Sequence, residues 1–425
     1  MKMEALDLKR NYLVPCSYHL YQRPPEIVRA SMQYLFDANG TQYLDFFAGV
    51  SVMNCGHCNP QINEAAKAQI DKLQHTTTLY LTRPIGELAE QLARILPGSI
   101  KRSFFCNSGT EANEGAFLAA RLFTGRRKIA ALTRSLHGRT NLAMSATGIP
   151  MWRTDPFLDT AHTVILPGPY DETAGMVTDA AADASLSTIS ATLACRDFAA
   201  LIIEPIQGNG GIIPLPDKYI QQLRQLCTET GTLLIADEVQ TGFARTGTMF
   251  AIEHSGVVPD IMTVAKALGN GFPIAAYCTT DTIAQAFTKP SASTLGGNPV
   301  SSSAALAVIR YIEQENLVHR AKELGEKLMT GLLELKNRHP MMYDVRGRGL
   351  MVGAELQKAD GSPNPEGTDI VLEFTKDHGV LIGKNGLYRN VLAFQPPLII
   401  TEENISKMLS VLDDALTHLS KTSAS

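Results

Sequence analysis

The spacing of apolar residues changes along the chain, and the changes divide it into parts. Residues 33–47, QYLFDANGTQYLDFF, alternate around Ala38-Asn39-Gly40 and predict two short strands joined as a hairpin. From residue 61 onward, helical patterns such as INEAAKAQIDKL and IGELAEQLARIL alternate with short apolar runs: KIAALT, AALIIEP, GTLLIADE and IMTVAK. Those runs are too short for helices and apolar at nearly every position, as strands covered on both faces must be. The alternation predicts an α/β fold with a mostly parallel sheet between helices. Residues 299–335 read as long helix with one weak interruption, and 169–195 as surface helix and loop. The character changes at His339-Pro340. Strand-like pieces at 341–356, 379–386 and 390–400 follow, and ENISKMLSVLDDALTHL closes the chain as a helix. The expected organisation is an N-terminal arm (1–60) joining a small domain, a large domain (61–335) and a C-terminal α+β domain (336–425).

Composition narrows the function. The chain has 425 residues, of which 44% are hydrophobic and 19% charged. The charged share lies below the roughly 25% of ordinary soluble chains, so much surface must be buried. Disorder, collagen and coiled coil are excluded. Lys and Arg number 38 against 42 Asp and Glu, a net charge of −4 without long single-sign blocks. Such a surface has no footprint for nucleic acid or acidic lipid, and a small molecule becomes the expected partner. No apolar run approaches the roughly 18 residues of a membrane span, and MKMEALDLKRNY lacks a secretory signal's apolar core. Seven cysteines, odd and sparse, point to a reducing, cytoplasmic setting. Cys55-Gly56-His57-Cys58 has thioredoxin-like spacing, but Asn59-Pro60 follow at once and no second Cys/His pair stands at zinc-binding distance. It reads as a turn of small residues, and no metal is expected.

Three segments carry chemistry. In KRSFFCNSGTEANEGAFLAAR (101–121) an apolar strand ends at Asn107-Ser108-Gly109-Thr110 and a helix begins near Glu111, a cradle suited to phosphate. In GTLLIADEVQTGFARTG, Asp237 and Glu238 end an apolar strand, where parallel sheets bind ligands. A metal pair is one reading, and a carboxylate holding a heterocyclic nitrogen protonated is another. In IMTVAKALGNGFP, Lys266 ends a further apolar run, and desolvation there lowers an amine's pKa and favours Schiff-base chemistry. Together the three supply what pyridoxal 5'-phosphate requires: a phosphate anchor, a partner for the ring nitrogen and an amine.

With these motifs the sequence resembles the class III (ω-amino acid) pyridoxal-phosphate aminotransferases of fold type I. The likeness spans nearly the whole chain: GTQYLDFFAGV with Gly56-His57 and Pro60, NSGTEANE (107–114), HGRT (137–140), EPIQGNGG (204–211), ADEVQTGFARTG (236–247), AKALGNGFP (265–273), TLGGNPV (294–300), VRGRGLM (345–351) and NVLAFQPPL (390–398). The resemblance implies a seven-stranded-type sheet in the large domain and Lys266 as the Schiff-base lysine and proton carrier. Asp237 would pair with the pyridinium nitrogen, and Gln240 would lie near the ring's 3-oxygen. Ser108, Gly109 and Thr110 would hold the phosphate, with Leu136, His137 and Glu204 supporting the cofactor. Thr294 would reach the phosphate from a neighbouring subunit, in a homodimer or dimer of dimers with shared sites.

Three positions depart from the family pattern. Leu136 stands where an aromatic residue commonly stacks on the ring. Asn209 replaces a gating Glu, and Ala393 replaces an Arg that clamps the substrate's α-carboxylate. Arg389 is the nearest substitute cation, with His137 and Arg139 further candidates. The expected reaction is transfer of an amino group from a terminal amine to a 2-oxo acid. The alternative is the family's phospho-lyase branch, or an ammonia-lyase acting on a hydroxylated aminoalkylphosphonate. Elimination needs no oxo-acid acceptor, and the loss of the clamp would then be expected.

Overall fold

The computed structural model describes residues 4–423; the readings made of residues 1–3 and 424–425 lie outside them. From Ala5 to Tyr12 the N-terminal stretch is a helix. The predicted hairpin is present: Tyr34–Asp37 pairs antiparallel with Gln42–Asp45, and Asp37 Oδ1 accepts from the N–H groups of Asn39 and Thr41 to close the turn.

The apolar runs, joined by strands 163–166 and 275–279 that the pattern did not signal, assemble into one seven-stranded sheet, in the order 102–106, 275–279, 261–264, 233–237, 198–203, 128–132, 163–166. Only Ala275–Thr279 runs against the others, pairing antiparallel with both neighbours. Every residue of Phe198–Ile203, Leu233–Asp237 and Ile261–Val264 is buried, as uniform apolarity requires of central strands with helices on both faces. These strands end together at one edge of the sheet, and Asp237 and Lys266 stand there.

Two departures from the pattern have local causes. The long helix breaks into Pro299–Gln314 and Leu317–Arg338, because Asn316 between them adopts a left-handed conformation (φ 48°), which Asn tolerates better than most residues. The second helix packs on strands Met342–Arg348 and Met351–Leu356 and on the closing helix Glu402–Ser423. Pro365–Asp377 is a further helix that the apolar pattern did not signal; Asn364 caps it through the Gly367 N–H, and Pro365 opens it.

The CxxC segment is a turn, with Cys55 buried, Cys58 exposed and both free. Among the described residues no group of three or more His, Cys, Asp or Glu could hold a metal ion, and no helix is long and apolar enough to cross a membrane. Glu238 points away from the site: it is fully buried and accepts from the N–H groups of Ala251 and Ile252 and the Thr241 hydroxyl.

Ahead of the CxxC turn, Ala48 (φ 49°), Gly49 (φ 61°), Val50 (φ 68°) and Ser51 (φ 58°) form four successive left-handed residues. For the three that carry side chains this costs about 1–2 kcal/mol each. Asp45 Oδ1 holds the entry by accepting from the N–H groups of Phe47 (2.8 Å) and Ala48 (2.9 Å), and Val52 N donates to Ala48 O (2.8 Å).

Arg245 draws three distant parts of the chain together. It is fully buried and donates to Leu350 O (2.9 Å), Pro396 O (2.6 Å) and Asn54 Oδ1. Arg245→Ala removes these donors, strands the buried acceptors and leaves a cavity. We expect a loss of about 3–5 kcal/mol in urea unfolding of the purified protein; a loss under about 1 kcal/mol would mean that water serves those carbonyls equally well.

Candidate active site

One cavity of about 840 Å³ opens at the strand ends, and most of the residues singled out in the sequence line it. Ser108, Gly109 and Thr110 stand at one side. The helix here starts at Gly109, two residues earlier than the sequence pattern implied, with Ser108 as its cap: the Ser108 hydroxyl accepts from Glu111 N at 3.3 Å. The N–H groups of a first turn have no carbonyl before them to bond, so they are available to an anion. Close approach is built in: a Cβ placed on Gly138 would lie 2.8 Å from the Thr110 hydroxyl, and one on Gly109 2.8 Å from Val239.

Asp237 is 3% exposed and accepts three hydrogen bonds. Its Oδ2 takes them from His137 Nδ1 (2.7 Å) and Asn113 Nδ2 (2.9 Å), and its Oδ1 from Val239 N (3.1 Å). Three donors converge on this buried carboxylate and fix its orientation. Asn113 also donates to His137 O (2.7 Å), so one amide fixes both members of the pair. Asn113 lies four residues beyond Gly109, on the cavity-facing side of the same helix. Helical spacing was the signal that could have found it. His137 Nε2 and Asn113 Oδ1 are buried without partners.

Lys266 sits just past strand Ile261–Val264 in a left-handed conformation (φ 44°), partly exposed to the cavity. Burial holds its amine below the usual lysine range, against the pull of Asp237 and Glu204. Glu204 has its carboxyl pushed up to about 7 by burial, with His137 lowering it and Asp237 raising it. Its oxygens accept from Leu136 N (2.8 Å) and Gly208 N (3.1 Å), which fixes the backbone that carries Leu136 over the cavity.

Gln240, Asn209 and Arg139 also line the cavity, and three candidates do not. Arg389 spends Nη1 on Lys384 O (3.0 Å), with its guanidinium 5.7 Å from the ring centre of Tyr18. Ala393 is fully buried in an apolar group with Ile206, Ile212 and Met351. Thr294 lines a separate hollow of about 230 Å³ beside Tyr80, Leu81 and Gly297. The cavity also takes in Cys16, Tyr18, Met151 and Trp152, which sequence reading missed. The first two come from the N-terminal arm, whose fold back over the sheet has no local signal.

A desolvated amine, a triply bonded carboxylate and a capped helix start around one cavity define an enzyme built for pyridoxal phosphate; the unpaired His137 Nε2 and the cradle at Gly138 fit a bulky group with an anionic end. Comparison with known proteins takes this further. Residues 20–416 match the family described as Aminotransferase class-III. The chain is 42% identical over 417 residues to alanine--glyoxylate aminotransferase 2 homolog 2, mitochondrial, of Arabidopsis thaliana, covering 97% of this chain and 87% of that protein. It is 41% identical to an acetylornithine aminotransferase of Methanosarcina mazei, over 89% and 88% of the two chains. Among solved structures, a phospholyase from Arthrobacter in complex with phosphoethanolamine superposes with a TM-score of 0.90 at 33% identity, over 97% and 99% of the chains. This chain belongs to the class-III aminotransferases, and its cofactor is pyridoxal 5'-phosphate.

Asp237→Ala should lower kcat by on the order of 10²–10³, the cost of removing one preorganised electrostatic group. Asn113→Ala should cost about tenfold, one hydrogen bond to a charged group. Steady-state rates of the cofactor-loaded enzymes decide: activity of Asp237→Ala within twofold of the parent would remove Asp237 from the reaction.

Proposed function

We propose that this protein transfers the amino group of a terminal amine that also carries an anionic group to a 2-oxo acid. The observation that carries the reading is the meeting of Lys266, Asp237 and a free cation in one cavity. Among the described residues Arg139 makes no hydrogen bond or ion pair, and it is exposed at the cavity wall. An unpaired guanidinium there can grip a carboxylate on the substrate's far end.

When bound, pyridoxal phosphate supplies an electron sink for the charge left on the carbon next to nitrogen. The chain's own residues do the rest. Ser108, Gly109 and Thr110 anchor the phosphate, and Asp237 holds a proton on the ring nitrogen. His137 and Asn113 keep Asp237 aligned. Gln240 meets the ring's 3-oxygen, and Leu136 covers the ring with apolar surface. Lys266 Nζ, its proton affinity lowered by burial, would take the proton from the amine-bearing carbon and return it to the carbon on the other side of the nitrogen, so that the amino group stays with the cofactor.

Thr294 belongs, in this reading, to the site of a second copy of the chain. Its own hollow is lined in part by exposed Tyr80 and Leu81, and exposed Leu79 and Leu295 adjoin Tyr80 and Thr294 in the chain, the kind of surface a subunit interface covers. All seven cysteines are free, in keeping with the cytoplasmic setting expected from the sequence.

Ala393 favours a second reading. It packs in an apolar group with Ile206, Ile212 and Met351 at the position where relatives place the clamping Arg, and elimination of a β-substituent, as in a phospho-lyase or ammonia-lyase, would need no such clamp. Lys266 would remove the same proton, and the β-group would leave with the electron pair.

One experiment separates the two. Holoenzyme is incubated with 5-aminovalerate, N-acetylornithine, alanine or phosphoethanolamine, with and without pyruvate or 2-oxoglutarate, and amino acid and ammonia are measured. Transamination predicts a new amino acid only when oxo acid is present, without ammonia. Ammonia from phosphoethanolamine in the absence of oxo acid would replace the transfer reading with elimination. Arg139→Ala should raise KM for anionic amines about 10–100-fold, the worth of a charge-assisted pair, and leave that for an uncharged primary amine within about twofold.

A further inference from the structure

The left-handed turn Ala48–Ser51 lies outside the cavity, yet its last side chain is connected to it. Ser51 is 1% exposed and donates its hydroxyl hydrogen to Oε1 of Gln395, itself fully buried. The same oxygen accepts from Nε2 of Gln240 at 2.9 Å. The Gln395 Nε2 is buried without a partner. A buried amide with one end unsatisfied calls for an explanation, and the convergence of two donors on its other end supplies one.

Gln240 is confined from the opposite side as well. A Cβ placed on Gly208 would lie 2.2 Å from Gln240 Oε1, so the amide is pressed against a position that only glycine leaves open. The edge that Gln240 presents to the cavity is therefore fixed by Gln395 on one side and Gly208 on the other. The turn and the Gln395 segment are also laced together through backbone: Gln395 N donates to Phe46 O (2.7 Å), and Leu398 N to Asn54 O (2.8 Å). With the backbone running left-handed at Ser51, its Cβ points toward Gln395; rewinding these residues to a right-handed turn would swing the hydroxyl away.

We propose that Ser51 and Gln395 are positioning residues that set the amide of Gln240, and that the strained turn persists because it delivers the Ser51 hydroxyl to Gln395. The inference rests on the reading above in which Gln240 meets the cofactor's 3-oxygen. A hydrogen bond at that oxygen changes the proton affinity of the bound cofactor, which its visible absorption reports without turnover.

The test is the pH midpoint of that absorption change in resting holoenzyme, measured for the parent, Gln240→Leu, Ser51→Ala, Gln395→Leu and the two double variants carrying Gln240→Leu. Gln240→Leu should move the midpoint, and Ser51→Ala and Gln395→Leu should each move it the same way by about half a pH unit, a threefold change in proton affinity. In the Gln240→Leu background neither should move it further, since both act through that amide. Single variants that leave the midpoint in place while Gln240→Leu shifts it overturn the relay, as do shifts that add in the double variants. If Gln240→Leu itself shifts nothing, the contact with the cofactor fails and the relay fails with it. Should Gln395→Leu not fold, Ser51→Ala, which deletes one hydroxyl, decides alone.

Discussion

A carboxylate buried at the end of a strand is tolerable only if its charge is answered, and the site is organised around answering Asp237. His137, Asn113 and the Val239 N–H do so directly. Each comes from a different piece of chain: the loop after one strand, the helix after another, and the strand end itself. The same negative charge raises the neighbouring Glu204 carboxyl and pulls Lys266 toward its charged form, against the desolvation that lowers it. Burial outweighs that pull and leaves the amine below the usual lysine range, as a proton-transferring lysine requires.

That charge distribution requires rigidity, and the strained backbone points are part of what provides it. Lys266, Asn270 and the run Ala48–Ser51 all sit in left-handed conformations close to the cavity. Such conformations survive only where the surroundings over-determine them. Here they do: Asn270 exchanges hydrogen bonds with Cys55 N and Gly56 O, and Asp45 grips the turn by two N–H groups.

Four strands of the central sheet were legible from their composition alone, because burial on both faces leaves few polar positions; strands 163–166 and 275–279 drew no such reading. Asp237 and Lys266 were legible as charged residues ending apolar strands, a signal that Glu238 shared although its carboxylate serves backbone N–H groups away from the cavity. The helix at 365–377 was not, since Gly367 and Thr368 interrupt its apolar stripe and its start depends on the Asn364 cap. Asn113, Ser51 and Gln395 were invisible for a different reason. Their significance lies in what they touch across 124, 344 and 155 residues of sequence, and no local pattern records such contacts. Arg389, the nearest cation along the chain, does not line the cavity: its Nη1 donates to Lys384 O, and its guanidinium lies 5.7 Å from the ring centre of Tyr18 in the cavity wall.

The lacing of the chain's two ends has a consequence for how the enzyme comes into being. The arm at residues 46–54 leaves the ribosome early, but Gln395, Pro396 and Leu398, which secure it and the buried face of Arg245, are made nearly last. The sheet can form from its own strands well before that moment, whereas the wall of the cavity that contains Gln240 cannot be completed until it. A nascent chain therefore carries the lysine for a time with the pocket unfinished, and full cofactor capture waits for the segment that contains Gln395.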